Sequence, residues 1–112
     1  MDGIRLPHHR LLAYGVAIEL LGAVRAAKVR DATLRDQAMR AAKSACLNCA
    51  EGAGRVTRAD KARVFGIARA EAGEAAAAVE IAVAAGDADE GALGAVLVSA
   101  DRFIAMITGL IR

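Results

Sequence analysis

Residues 93–111 read LGAVLVSADRFIAMITGLI, and the apolar positions step by threes and fours through Leu93, Val96, Leu97, Ala100, Phe103, Ile104, Ile107, Leu110 and Ile111. Such steps lay one stripe along a helix of 3.6 residues per turn, whereas a half-buried strand would alternate. The stretch predicts an amphipathic helix with a single buried stripe. Just upstream, Asp87-Ala88-Asp89-Glu90 concentrates acid where a helix start presents unpaired amide hydrogens and its positive dipole end. The fourth segment therefore runs from Asp87 to the C-terminus.

Working back along the chain, Gly86 stops a third segment that continues to Ala85 and opens at Thr57-Arg58-Ala59-Asp60. There the threonine oxygen can accept from the third helical amide while the aspartate reaches back. A second segment starts near Thr33 as N-cap and ends at Glu51, with Gly52 as a left-handed C-cap and Gly54 completing the turn. Its Leu34, Ala38, Ala41, Ala42, Ala45 and Cys49 lie on one side, opposite Asp36, Arg40, Lys43, Ser44 and Glu51. The first segment runs from Pro7 or His8 to Val29, and Arg25, Lys28 and Arg30 suit its C-terminal end. Four helices with short connections predict an all-α, antiparallel up-down-up-down four-helix bundle, one domain over residues 1–112.

The first helix carries apolar residues around most of its circumference: Leu11, Val16, Ile18, Leu20, Leu21 and Val24. It therefore has two surfaces to bury, one in the bundle and one against something else. Gly15 and Gly22, like Gly66 and Gly73, stand seven apart on one stripe, which predicts close approach of a neighbouring backbone. An aspartate placed at Leu20 or Val24 tells interface from core, releasing monomers in the first case and unfolding the chain in the second.

Composition agrees with helices: 29 of 112 residues are alanine, aromatics make up 3%, and there is one proline. The best candidate for a membrane span, Leu11 to Val24, is short of the roughly 20 residues required and carries Glu19, so no membrane partner is expected. Met1-Asp2-Gly3-Ile4-Arg5 lacks the layout of an export signal, which makes the cytoplasm the expected location. The net charge of +2 hides an asymmetry: residues 1–58 hold ten Lys or Arg against five acids, and residues 59–112 hold five against eight. Polarity of this kind suits either a negative partner or a head-to-tail contact between copies.

Cys46 and Cys49, with His8 and His9, would supply the four ligands zinc prefers. Both cysteines, however, fall on the small apolar side of the second helix and near its C-terminal half, where the dipole disfavours a thiolate. They read as core thiols, and no metal or other cofactor is expected. Glu71 and Glu74 share a helix face without an acid-base partner of another type, so a salt-bridged or interface pair is the reading. Gly52-Ala53-Gly54-Arg55 lacks the lysine and hydroxyl residue of a phosphate-binding loop. Arg55, Arg58, Lys61 and Arg63 nevertheless cluster at the start of the third helix as candidate anion or nucleic-acid contacts, through phosphates rather than bases.

The run Asp36-Gln37-Ala38-Met39-Arg40-Ala41-Ala42-Lys43-Ser44, then Leu47-Asn48-Cys49-Ala50-Glu51-Gly52 and Arg55, resembles the bacterial 23S ribosomal RNA intervening-sequence proteins. Ile67-Ala68-Arg69-Ala70-Glu71-Ala72-Gly73-Glu74 is similar to a later family motif, with Ala70-Glu71 replacing its Gly-Ser pair and Cys49 replacing an isoleucine. The resemblance implies a four-helix bundle without enzymatic activity that assembles as a five-membered ring, with a dimer the next expectation. It also implies kinship with accessory proteins of diversity-generating retroelements, whose rings engage a reverse transcriptase and nucleic acid. By match, Asn48, Glu51, Arg55, Arg69 and Glu74 form the polar cluster of the family motifs, whose expected role is to hold the turn after the second helix. The expected function is an oligomeric binding or scaffold protein, contacting RNA or DNA phosphates or a protein partner; a small-molecule-binding bundle is the alternative.

Overall fold

A computed structural model describes residues 3–112; the reading of Met1 and Asp2 lies outside the described residues. A 3-10 turn at Pro7–Arg10 leads into α1, Leu12–Ala26, followed by α2, Ala32–Gly54, and α3, Arg58–Ala84; a second 3-10 turn at Glu90–Ala92 precedes α4, Leu93–Ile111. Each helix packs on the next, and α4 returns against α1. Side-chain pairs fix the directions. Gly52 meets Phe65 while Arg40, further back in α2, meets Glu71, further on in α3. Likewise Arg10–Ala13 line a groove with Met106 and Leu110, while Glu19 pairs with Arg102. Cys46 meets Ala17, whereas Val24 and Lys28 face Arg35 and Ala38. Those three antiparallel pairs leave only the up-down-up-down bundle. At about 1.5 Å per residue the 27-residue α3 spans nearly the whole 44 Å length of the molecule.

The core divides its labour by residue size. Between α2 and α3, the most extensive helix contact, the buried positions are mostly alanine: Ala38, Ala41, Ala42 and Ala45 against Ala68, Ala72 and Ala75. Small side chains let these two backbones approach closely, and alanine loses no rotamer freedom on burial. The volume comes largely from the other helices, through Leu20, Val96, Phe103 and Ile107, each fully buried.

Several helix boundaries differ from the sequence reading. Pro7 belongs to the 3-10 turn rather than to α1, and α1 ends at Ala26 instead of Val29. Lys28 follows in a left-handed conformation at φ 48°. The N-cap of α2 is Asp31, whose carboxylate accepts from the Leu34 amide at 2.9 Å, displacing Thr33 into the first turn. Gly52 is not a C-cap, since α2 continues to Gly54 and stops where Arg55 turns extended. Thr57 does cap α3 by accepting from the Asp60 amide at 3.1 Å, but the Asp60 carboxylate accepts from Arg55 and Arg63 and does not reach back. Gly86, at φ 80°, ends α3 as expected: its amide donates to Val83 O and that of Asp87 to Ala82 O. Asp87 is thereby taken up by the end of α3, and α4 starts later than predicted, at Leu93.

Arg30 acts across the bundle, outside the helix end assigned to it. Its amide donates to Asp87 O at 2.7 Å and its guanidinium to Gly86 O at 2.8 Å, with Asp89 a further 3.3 Å contact. One residue thus ties the α1–α2 connection to the α3–α4 turn. Arg30→Ala removes the side-chain half of this tie, which is exposed, and is expected to cost about 0.5–1.5 kcal/mol in urea unfolding.

In α4 the stripe is narrower than its pattern suggests. Val96, Ala100, Phe103 and Ile107 are buried together with Ser99, while Leu97 and Leu110 are about two-fifths exposed. Glu90–Ile111 is also long and apolar enough to cross a membrane by length and composition, which corrects the reading of Leu11–Val24 as the best candidate span. Here one face of the segment forms a wall of the bundle core.

Candidate functional site

The polar residues of the family-like motifs do not form one cluster. Glu51 and Arg55 pair at 3.6 Å across one turn, and Arg55 continues to Asp60 at 3.4 Å, so these two hold the α2–α3 turn as expected. Asn48 instead turns back along α2, its amide donating to Ser44 O and Oγ at 2.9 and 3.0 Å. Glu74 lies further along α3, where Arg40 bridges it and Glu71, the latter at 3.0 Å. This ion-paired trio is a clamp between α2 and α3. Glu71 and Glu74 are therefore the salt-bridged pair foreseen, but Arg40, sorted only to the polar side of its helix, is the residue that joins them. Arg69 is exposed and makes no ion pair among the described residues.

Three of the four cations proposed for anions already serve the chain. Arg55 holds Asp60, Arg63 donates to Asp60 at 2.9 Å, and the Lys61 ammonium donates to Ala53 O at 2.8 Å. Lys61 thereby satisfies a last-turn carbonyl of α2, where a cation also meets the negative dipole end. Only Arg58 stands exposed without such a partner among the described residues.

Cys46 and Cys49 are free thiols in the core, and the Cys46 thiol donates to Ala17 O at 3.3 Å. Burial pushes both thiols up, Cys49 to about 11 from an ordinary 9.0, with the neighbouring Cys46 adding to the rise. A raised pKa keeps the thiol protonated and unreactive. His8 lines a hollow with Cys46, and His9 uses Nδ1 to accept from the Leu6 amide at 3.0 Å; among the described residues no three His, Cys, Asp or Glu side chains come together as a metal site. The shift also sets a pH dependence. The folded chain holds the Cys49 proton more tightly than the unfolded one, so this contribution is intact below about pH 9 and is lost as pH rises toward 11. Urea midpoints measured from pH 8 to 11 are expected to fall over that window, and less so in Cys49→Ala.

The glycine stripes behave differently from the expectation. An added Cβ at Gly15, Gly22, Gly66 or Gly73 would meet nothing within 4 Å, so no neighbour in the chain packs on them. At Gly52 it would lie 2.5 Å from the Phe65 ring, which makes this the glycine whose bareness packing requires. The open backbone at Gly15 and Gly22 lies instead on an outer face of α1 beside exposed Leu12 and Ile18. Next to it runs a groove of about 460 Å³ between α1 and α2, lined by Ile18, Leu21, Gly22, Arg25, Met39 and Lys43. A hollow of about 250 Å³ continues it past Arg25 and Met39 to Lys28 and Arg35. A separate hollow of about 280 Å³ joins Leu11 and Leu12 to Met106 and Leu110.

Comparison with curated proteins finds no match to this chain. Residues 12–109, from the first turn of α1 almost to the end of α4, match the family model of the 23S rRNA-intervening sequence protein. The match takes in both motif stretches and all but the last residues of the bundle. The chain therefore belongs to the 23S rRNA-intervening sequence protein family.

Proposed function

We propose that this chain is a non-enzymatic subunit of a homo-oligomeric binding scaffold, a five-membered ring in preference to a dimer. The observation that carries the reading is the outer apolar surface of the bundle. Leu12 is 82% exposed and Ile18 44%, on the same side of α1 as two glycines with open space above them. Large apolar side chains grouped around bare backbone and an open groove mark a surface that another chain covers. The number five comes from the family likeness rather than from the surface. Light scattering after size exclusion at micromolar concentration tests the reading.

A nucleic-acid contact is the second reading, favoured by exposed Arg58 at the start of α3. Oligomerisation would repeat that cation on every subunit. Binding of this sort runs through phosphates and counterion release, so retardation of RNA at about 50 mM salt should vanish near 200 mM. RNA that is not retarded at either salt concentration would remove it.

A further inference from the structure

We infer that the α1–α2 groove is one half of the subunit contact and that it receives the acidic outer edge of α3 and α4 from a second copy of this chain. The inference rests on the oligomeric reading and adds to it which faces meet. Arg25, Lys28 and Lys43 stand along the groove, all exposed and none in an ion pair among the described residues. Between them the walls are apolar, formed by Ile18, Leu21 and Met39. An occupant must therefore bring both negative charge and apolar side chains.

The chain carries such a surface on its other side. Glu80 is exposed and unpaired among the described residues; at 100° per residue it points opposite to Glu71, which faces α2, and so lies on the edge of α3 away from α2. On α4, Arg102 marks the side of α1, and Leu97 and Asp101 are rotated some 140° and 100° from it, toward α3. Asp101 is exposed and unpaired among the described residues, and Leu97 is 40% exposed. Glu80 and Asp101 thus share this edge with apolar Leu97, while Arg69, rotated only about 20° from Glu80 but about three turns back along α3, adds a cation at its far end.

A standard contact takes roughly 800 Å² from each partner, a small part of the 6401 Å² the chain exposes. Because groove and edge are different surfaces, every subunit offers one of each, and the contact propagates until the rotation between neighbours closes it. Paired charges set the orientation and reject like faces, while the apolar walls supply the burial.

Two charge-reversed forms of the full chain provide the test. One carries Arg25→Glu with Lys43→Glu, the other Glu80→Lys with Asp101→Lys; all four positions are exposed. Circular dichroism should show both folded, and light scattering should show each alone near the 11.5 kDa of one chain. Mixed one to one they should associate, because the intact acidic edge of the first fits the intact groove of the second. If either form keeps the wild-type oligomer mass, the assigned faces are wrong while the oligomeric reading stands. If both are monomers that stay apart on mixing, the pairing of these two faces is overturned. A wild-type chain that is itself monomeric ends the oligomeric reading as well.

Discussion

Replacing Leu20 with aspartate unfolds the chain. Leu20 is fully buried in the core beside Val16 and Val24, and it is among the largest side chains the bundle encloses completely. Its truncation alone forfeits about 2–5 kcal/mol. An unpaired carboxylate in the same place adds its desolvation, so the total exceeds about 4 kcal/mol against a domain stability of about 5–15 kcal/mol. The expected result is loss of the helical circular dichroism signal or a large drop in the urea midpoint. Val24→Asp should behave alike. At Ile18, two residues away and 44% exposed, the same substitution should leave the fold intact and act on association instead. A folded, dissociated Leu20→Asp chain would show that the core is wrongly placed.

Gly52→Ala carries the second large effect, although it adds one methyl group. The new Cβ would sit 2.5 and 2.6 Å from two ring carbons of Phe65, which is itself buried at the start of α3. A buried ring cannot swing aside without disturbing its neighbours, and overpacking of this kind costs about 1–3 kcal/mol. Alanine ordinarily stabilises a helix by about 0.5–1 kcal/mol over glycine, so the sign of the change is diagnostic. Gly66→Ala, with nothing within 4 Å, is the control and should be neutral or stabilising. Phe65→Leu should relieve part of the Gly52→Ala penalty. Equal responses at the two glycines would refute the Gly52–Phe65 contact.

The bundle itself was legible because the information is local. The stripe of α4, the Thr57 cap and the Gly86 stop are each settled within one or two helical turns, and the structure keeps the cap, the stop and a narrower form of the stripe. What the pattern could not show lies between elements. Gly52 reads as a cap next to Gly54, and only the approach of Phe65, thirteen residues on, reveals that it is a packing residue. Arg30 has its partners 56 and 59 residues away, and Arg40 at 31 and 34. No local rule connects such positions.

The candidate site shows the same division. Glu51 and Arg55 are four apart on or beside one helix end, and their pairing follows from spacing. Asn48 had a nearer acceptor in Ser44, and Arg69 and Glu74 belong to other parts of α3 than the turn. The basic cluster was visible as composition, but the carbonyls and the carboxylate that occupy Lys61, Arg55 and Arg63 were not. Three of the cations left over, Arg25 on α1, Lys28 in the connection after it and Lys43 on α2, become one surface only in the bundle. Their signal in the sequence was the positive balance of the first half.

The mass of the wild-type particle in solution tests the central claim most directly. Light scattering across a concentration series, from about 1 to 100 μM at moderate salt, should give a species several times the 11.5 kDa chain, five times for the closed ring, that dissociates on dilution or at high salt. A particle that stays at the mass of one chain throughout that range would contradict it.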